Sequence, residues 1–134
     1  MLETECQSFF EEELKLLDAL AENSRKQMRK LDKRLWSGLR RLSAERDEYL
    51  KIWQERNMMR KEAWKSAGYS LQAVKEQVKT KQVEVEQLHA ELMQETECTK
   101  RALALKMQQL RKGQDVVNQY QGPVSAYARW SIQG

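Results

Sequence analysis

Apolar residues recur early in the chain at alternating steps of three and four, the heptad spacing of a packed amphipathic helix. This first stripe consists of Phe10, Leu14, Leu17, Ala21, Ser24, Met28, Leu31 and Leu35. After Leu35 the next steps lead to Leu39 and Leu42, so the stripe slips around the helix. Ser37 and Gly38 lie at the slip, and glycine destabilises a helix interior. The pattern therefore leaves open either a continuous helix or a break near residues 36–38.

A second stripe follows a candidate turn at residues 66–70. Gly68 is expected to take the left-handed conformation that ends a helix, and Ser70 to cap the next one. The second stripe consists of Leu71, Val74, Val78, Val85, Leu88, Leu92, Thr99, Leu103, Met107, Leu110 and Val117, and Lys81 interrupts it. The pattern predicts helices over about 3–35, 39–65 and 70–117.

The fold class predicted from these stripes is all-α: an elongated antiparallel helical hairpin or coiled-coil bundle that spans residues 1–118 as one domain. A hairpin centred on Gly68 places residue i roughly opposite residue 136 − i. Further apolar residues outside the stripes widen the apolar face of the first 65 residues: Phe9, Leu16, Leu20, Ile52, Met58, Met59 and Trp64. This wider face predicts contact with another helix, either of the same chain or of a homodimer partner.

Composition agrees with a helical chain. The 134 residues include one proline and five glycines, too few turn-forming residues for a β-sandwich or barrel. Charged residues make up 33% of the chain, and no apolar run approaches the length of a membrane span. We therefore expect no membrane insertion.

Charge is distributed unevenly along the chain. Residues 1–22 carry seven acids and one base, and residues 23–65 carry fourteen bases and six acids. A basic segment is typical of nucleic-acid or membrane-surface binding, but acids interrupt this one throughout. The hairpin register also places Arg40, Arg41 and Arg46 near the acidic residues 91–97. We therefore expect internal charge pairing and no nucleic-acid partner.

The sequence contains no recognisable catalytic or metal-binding constellation. His89 is the sole histidine, and Cys6 and Cys98 lie 92 residues apart, which excludes the usual spacing of zinc ligands. Glycine-rich phosphate loops and nucleophile–base sets are also missing. We therefore expect no enzyme activity, no cofactor and no small-molecule substrate.

Residues 119–134 differ in character from the rest of the chain. They include the breaker Gly122-Pro123 and carry almost no charge. They also hold four large apolar or aromatic residues, Tyr120, Tyr127, Trp130 and Ile132. This aromatic C-terminal tail is either a strap docked on the helices or a segment that binds a partner.

The layout resembles that of bacterial flagellar export chaperones of the FlgN/FliT type. The resemblance is carried by a leucine-rich first helix, by residues 35–39 (LWSGL), by the arginine-rich residues 55–68 that end in a glycine turn, and by residues 109–120 with Tyr127 beyond them. It implies a cytoplasmic chaperone of type III export. The client would be a hook-associated, cap or other axial protein, delivered to the export ATPase and gate.

Binding of a client helix would require an apolar face on the last helix. The resemblance and the stripe together indicate Leu103, Met107, Leu110, Val117, Tyr120, Tyr127 and Trp130 as partner-binding residues. The alternative is a coiled-coil stalk of the export ATPase complex, similar to the FliJ type, which the basic charge and the long hairpin also fit. A stalk would be a rigid charged hairpin, whereas a chaperone would expose an apolar groove.

Overall fold

The computed structural model describes the backbone of residues 1–121 and the side chains of residues 1–114. The elements are α1 (Glu3–Asp32), α2 (Leu39–Glu55), α3 (Asn57–Ser66), one 3-10 turn (Tyr69–Leu71) and α4 (Gln72–Gln121). No strand occurs in residues 1–121, and the predicted all-α helical bundle is confirmed. The chain divides into two compact units, Met1–Glu95 and Thr96–Gly134. The predicted boundary between a domain and a tail at residue 118 stays a prediction.

Of the two possibilities left open near residues 36–38, the structure has the break, and the break begins earlier than the glycine. Lys33 caps α1, and Arg34 takes a left-handed conformation with a φ of 53°. The Arg34 amide donates to the Leu31 carbonyl at 3.0 Å, and the Leu35 amide donates to the Lys30 carbonyl at 2.8 Å. This pair of hydrogen bonds is the Schellman ending of a helix, with arginine where glycine is usual.

Gly38 then reverses the chain direction. Its φ of 89° lies in the left-handed region, where glycine is the least strained residue. The α2 helix returns antiparallel to α1, as contacts at both ends show: Asn23 Nδ2 donates to the Leu42 carbonyl at 2.9 Å, and Arg56 Nη2 donates to the Phe9 carbonyl at 3.2 Å. The predicted helix over 39–65 is interrupted at Arg56. The first 66 residues therefore form α1 and an antiparallel arm of two shorter helices, which we call the α2–α3 arm (residues 39–66), and not one continuous helix.

The roles predicted for Gly68 and Ser70 are wrong. Gly68 has a φ of −79° and a ψ of −178°, an extended conformation open to any residue. The α3 helix ends at Ser66 because the next residue, Ala67, is already extended, with a ψ of 125°. Ser70 lies within the 3-10 turn, and its hydroxyl donates to the Glu3 carboxylate of α1. The turn is thus fixed by a contact with α1 and not by a left-handed glycine or a serine cap.

The core of the first unit lies between α1, the α2–α3 arm and the first half of α4. Its buried apolar side chains are Cys6, Phe9, Phe10, Leu17, Leu20, Ala21, Leu31, Leu42, Ala63, Leu71, Val78, Val85 and Leu92. The predicted wide face is confirmed only in part: Phe9 and Leu20 are buried, whereas Ile52, Met58 and Met59 are exposed. Helices of the same chain cover these two residues, so that Met1–Glu95 forms a three-helix bundle of α1, the α2–α3 arm and the first part of α4.

The predicted register holds between α2 and α4, but the predicted charge pairing does not. Arg46 contacts His89, in agreement with a hairpin centred near Gly68. Arg46 does not pair with the acidic segment, and Arg40 and Arg41 are exposed without an ion pair to any described residue. Within residues 1–121, no helix combines the length and the apolar run needed to cross a membrane.

Candidate partner-binding face

Three of the predicted binding residues lie on one face of α4, within residues 96–114. Leu103, Met107 and Leu110 follow one another at steps of four and three, so their side chains share one side of the helix. They are 39%, 55% and 59% exposed. Every side chain from 101 to 113 is exposed, including the apolar ones. The stripe that is buried at Val78, Val85 and Leu92 therefore continues here as an exposed stripe, which we call the α4 face (Leu103, Met107 and Leu110).

Positive charge surrounds the α4 face. Residues 98–114 contain five bases and no acid. Three of the bases are helical neighbours of the stripe at spacings of three or four residues, Lys100, Lys106 and Arg111. Arg101 lies on another side of the helix and forms a 3.4 Å ion pair with Glu97. The arrangement suits a second amphipathic helix that has an apolar stripe and acidic flanks.

The other four predicted binding residues cannot be placed on this face. Val117 and Tyr120 belong to α4, but their side chains lie outside those described. Tyr127 and Trp130 lie outside the described residues altogether. Both alternatives for the C-terminal tail, a docked strap and a binding segment, stay predictions.

A buried ionic cluster joins α1 to the α2–α3 arm. Glu13 is fully buried, and its carboxylate accepts hydrogen bonds from Arg56 Nε at 2.7 Å and from Arg60 Nε at 2.9 Å. Each guanidinium also contacts a ring: Arg56 lies 4.3 Å from the centre of Phe9 and Arg60 lies 3.4 Å from that of Trp53. A buried carboxylate requires such partners, because its burial without them is very costly. The cluster fixes how α3 follows α2 against α1.

The apolar stripes do not identify Glu13 as a buried residue. The available signal is its position: it lies three residues after Phe10 and four before Leu17, on the buried side of α1. A carboxylate at that spacing indicates a buried cation partner somewhere in the fold.

A second polar cluster lies between α1, α2 and α4. Arg46 is 5% exposed, and its Nη1 donates to Ser24 Oγ at 2.6 Å. Its Nη2 lies 2.7 Å from His89 Nδ1, while its Nε has no hydrogen-bond partner within the described part of the chain. Burial lowers the pKa of Arg46, and burial together with the Arg46 charge lowers the pKa of His89. Both residues line a cavity of about 200 Å³ with Leu17, Leu50, Trp53 and Val85 among its walls.

Surface ion pairs connect α1 to α4 outside the core. Lys81, which interrupts the stripe, lies 2.7 Å from Asp18 and 3.2 Å from Glu84, and Arg25 also pairs with Glu84. Hydrogen bonds to Asp18 and Glu84 raise the pKa of Lys81, and the bond from Lys81 lowers that of Glu84. Exposed pairs of this kind contribute only about 0–1 kcal/mol each. They fix the alignment of the helices and do not form a chemical site.

The described part of the chain contains two free thiols and no metal-binding cluster. No group of three or more histidine, cysteine, aspartate or glutamate side chains is arranged there to hold a metal ion. Cys6 is buried, Cys98 is exposed, and both are free thiols. Comparisons with protein-family models, with curated proteins and with solved structures found no match to this chain.

Proposed function

We propose that this protein binds an amphipathic helix of a client protein on the α4 face. The observation that carries the proposal is the exposure of Leu103, Met107 and Leu110 on one side of a helix whose earlier stripe residues are buried. Full burial of a leucine or methionine side chain contributes about 1.5–3 kcal/mol. Three anchors at this spacing match the way in which an amphipathic partner helix is recognised.

The charges define the client further. Lys100, Lys106 and Arg111 flank the stripe, so the client helix carries acidic residues beside its own apolar stripe. Met107 has a flexible side chain that adapts to different apolar partners. A client that folds on binding pays its ordering entropy in the complex and is released readily, as export requires.

In line with the resemblance to the FlgN/FliT type, we propose a cytoplasmic chaperone of type III export. It holds the helical terminus of a hook-associated, cap or other axial flagellar protein and delivers it to the export ATPase and gate. The alternative role is a coiled-coil stalk of the FliJ type. The contacts of α1 with both the α2–α3 arm and α4 in Met1–Glu95 favour the chaperone, because a stalk needs only a two-helix hairpin.

The test measures binding of the terminal helix of a flagellar axial protein by calorimetry. Leu110→Asp is expected to weaken binding by about tenfold or more, which corresponds to about 1.4 kcal/mol. The matched control is Leu105→Asp, because Leu105 is 56% exposed but lies on the opposite side of α4. Binding by the control is expected to stay within about twofold of the unchanged protein, since few surface substitutions away from a contact have larger effects.

Equal weakening by both variants would refute the α4 face as the binding site. A concentration-dependent dimer that is lost in Leu110→Asp and retained in Leu105→Asp would assign the face to a second copy of this chain. Binding to anionic vesicles in place of the helix would assign it to a membrane surface. Either result would contradict the proposed client.

A further inference from the structure

A basic cleft lies between the last turns of α1 and the first turns of α2. Its volume is about 610 Å³, within the usual range of ligand sites. Five cationic side chains line it: Lys26, Arg29, Lys30, Lys33 and Arg41. The carboxylate in its lining, Glu45, is engaged by Tyr49, whose pKa is raised by burial and by that carboxylate.

Most of this positive charge is not neutralised by ion pairs among the described residues. Arg29 pairs with Glu22 at 3.1 Å. The other four cations, Lys26, Lys30, Lys33 and Arg41, make no ion pair with any described residue. Lys26 and Lys30 lie one turn apart on α1 and Lys33 caps that helix three residues later, so these like charges repel.

Lys30 is also close to the start of α2, where a positive charge is unfavourable. Its Nζ lies 3.8 Å from the point that a β-carbon on Gly38 would occupy, beside the start of α2. The first turn of α2 has no acidic residue and no side-chain cap. The start of a helix carries a partial positive charge, so an anion is favoured there and a cation is not. A bound anion would relieve both repulsions.

We propose that the basic cleft binds the linear triphosphate group of a small molecule, either a nucleoside triphosphate or inorganic tripolyphosphate. Lysine ammonium groups bind phosphate as point charges, and each makes short charge-assisted hydrogen bonds.

The geometry favours phosphate over an acidic peptide. Each phosphoryl group carries about one to two negative charges, so a triphosphate concentrates about four of them in a small volume. An extended peptide spaces its residues about 3.3 Å apart and points alternate side chains to opposite sides. Half of its carboxylates would therefore face away from the cleft.

The test is calorimetry on the full chain at low ionic strength without Mg²⁺, with tripolyphosphate and with ATP as probes. We expect one ligand to bind per chain and affinity to fall as salt screens the charges. Lys30→Glu combined with Lys33→Glu is expected to weaken binding about tenfold or more, because two charge-assisted contacts become repulsive. If that variant fails to fold, Lys26→Gln combined with Lys33→Gln removes two exposed cations with less disturbance.

The matched control is Lys51→Glu combined with Lys61→Glu, which changes the net charge equally at two exposed lysines outside the cleft. Its affinity is expected to stay within about threefold of the unchanged protein, because screening weakens distant charges. Tighter binding of ATP than of tripolyphosphate would identify the source as a nucleotide, and equal binding would identify the phosphate chain alone. The absence of binding, equal loss in both double variants, or equally tight binding of an octaglutamate peptide would overturn the proposal.

Discussion

Arg46 and His89 meet between α2 and α4, with the guanidinium Nη2 2.7 Å from the imidazole Nδ1. Arginine can only donate, so Nδ1 accepts and the imidazole proton lies on Nε2. The folded protein therefore holds His89 neutral. Burial first, and the Arg46 charge second, lower the pKa of His89 below its ordinary value of 6.5.

This contact predicts a loss of stability in mild acid. The unfolded chain takes up a proton at His89 as the pH falls through about 6.5, whereas the folded chain does not. The free energy of unfolding therefore has its full value above about pH 7. It decreases as the pH falls, until the pH reaches the lower pKa of His89 in the folded protein. Thermal unfolding at pH 7.5, 6.5 and 5.5, followed by circular dichroism, is expected to show a falling Tm.

A neutral replacement isolates the effect of the histidine. His89 is the sole histidine of the chain, and carboxylates titrate at lower pH. His89→Asn keeps a hydrogen-bond acceptor for Arg46 but cannot take up a proton in this range. Its Tm is expected to be nearly constant between pH 7.5 and 5.5. A variant with the same pH dependence as the unchanged protein would contradict the assignment to His89.

The heptad stripes predicted the core well because burial follows their spacing directly. The second stripe is buried at Val78, Val85 and Leu92, as expected. The spacing of residues within one helix does not show which distant residue it contacts. Glu13 lies on the buried side of α1, but its hydrogen bond with Arg56 joins residues 43 positions apart. Local propensity also failed at Arg34, where the structure has a left-handed residue that sequence rules assign to glycine.

The candidate site was predicted only in part, for a similar reason. The spacing of Leu103, Met107 and Leu110 is the same whether a helix of this chain covers them or leaves them exposed. Periodicity identifies an apolar face of a helix, but it does not show whether another helix covers that face. The exposure of these three side chains is visible only in the structure.

Arg34→Gly is expected to stabilise the protein. Arg34 has a φ of 53°, and the left-handed conformation costs an ordinary residue about 1–2 kcal/mol. Glycine removes this strain but increases the freedom of the unfolded chain, so the net gain is expected to be about 0.5–1 kcal/mol. Urea unfolding measures it, and a lower unfolding midpoint in the variant would show that arginine contacts outweigh the strain.

Gly38→Ala is expected to destabilise the protein by about 1 kcal/mol or more, because alanine at a φ of 89° is strained. Steric contact is not the cause, since the nearest atom to an added β-carbon, Lys30 Cε, is 3.7 Å away. Gly68→Ala is the matched control. Gly68 has an extended backbone and open space around it, so this change is expected to be neutral or to stabilise by up to about 1 kcal/mol. A similar loss in both variants would contradict the assignment of the strain to Gly38.

Deletion of residues 119–134 is expected to change client affinity while far-UV helicity stays nearly constant. The tail holds Tyr127 and Trp130, two of the predicted binding residues. Calorimetry with the client helix and circular dichroism of the truncated protein measure the two quantities. Loss of the whole fold on truncation would make the tail a structural strap and remove it from the binding site.

Glu13→Gln is expected to be among the most destabilising conservative substitutions in the chain. The change keeps the shape of the side chain but leaves Arg56 and Arg60, both largely buried, without their shared carboxylate. Loss of one partner from a buried ion pair costs about 3–5 kcal/mol.

Glu12→Gln is the matched control, because Glu12 pairs with the same Arg56 at 3.0 Å but is 61% exposed. That change is expected to cost about 0–1 kcal/mol in the free energy of unfolding measured in urea. Equal effects from the two substitutions would mean that burial of Glu13 does not strengthen its contribution, and the ionic cluster would then not be what joins α3 to α1.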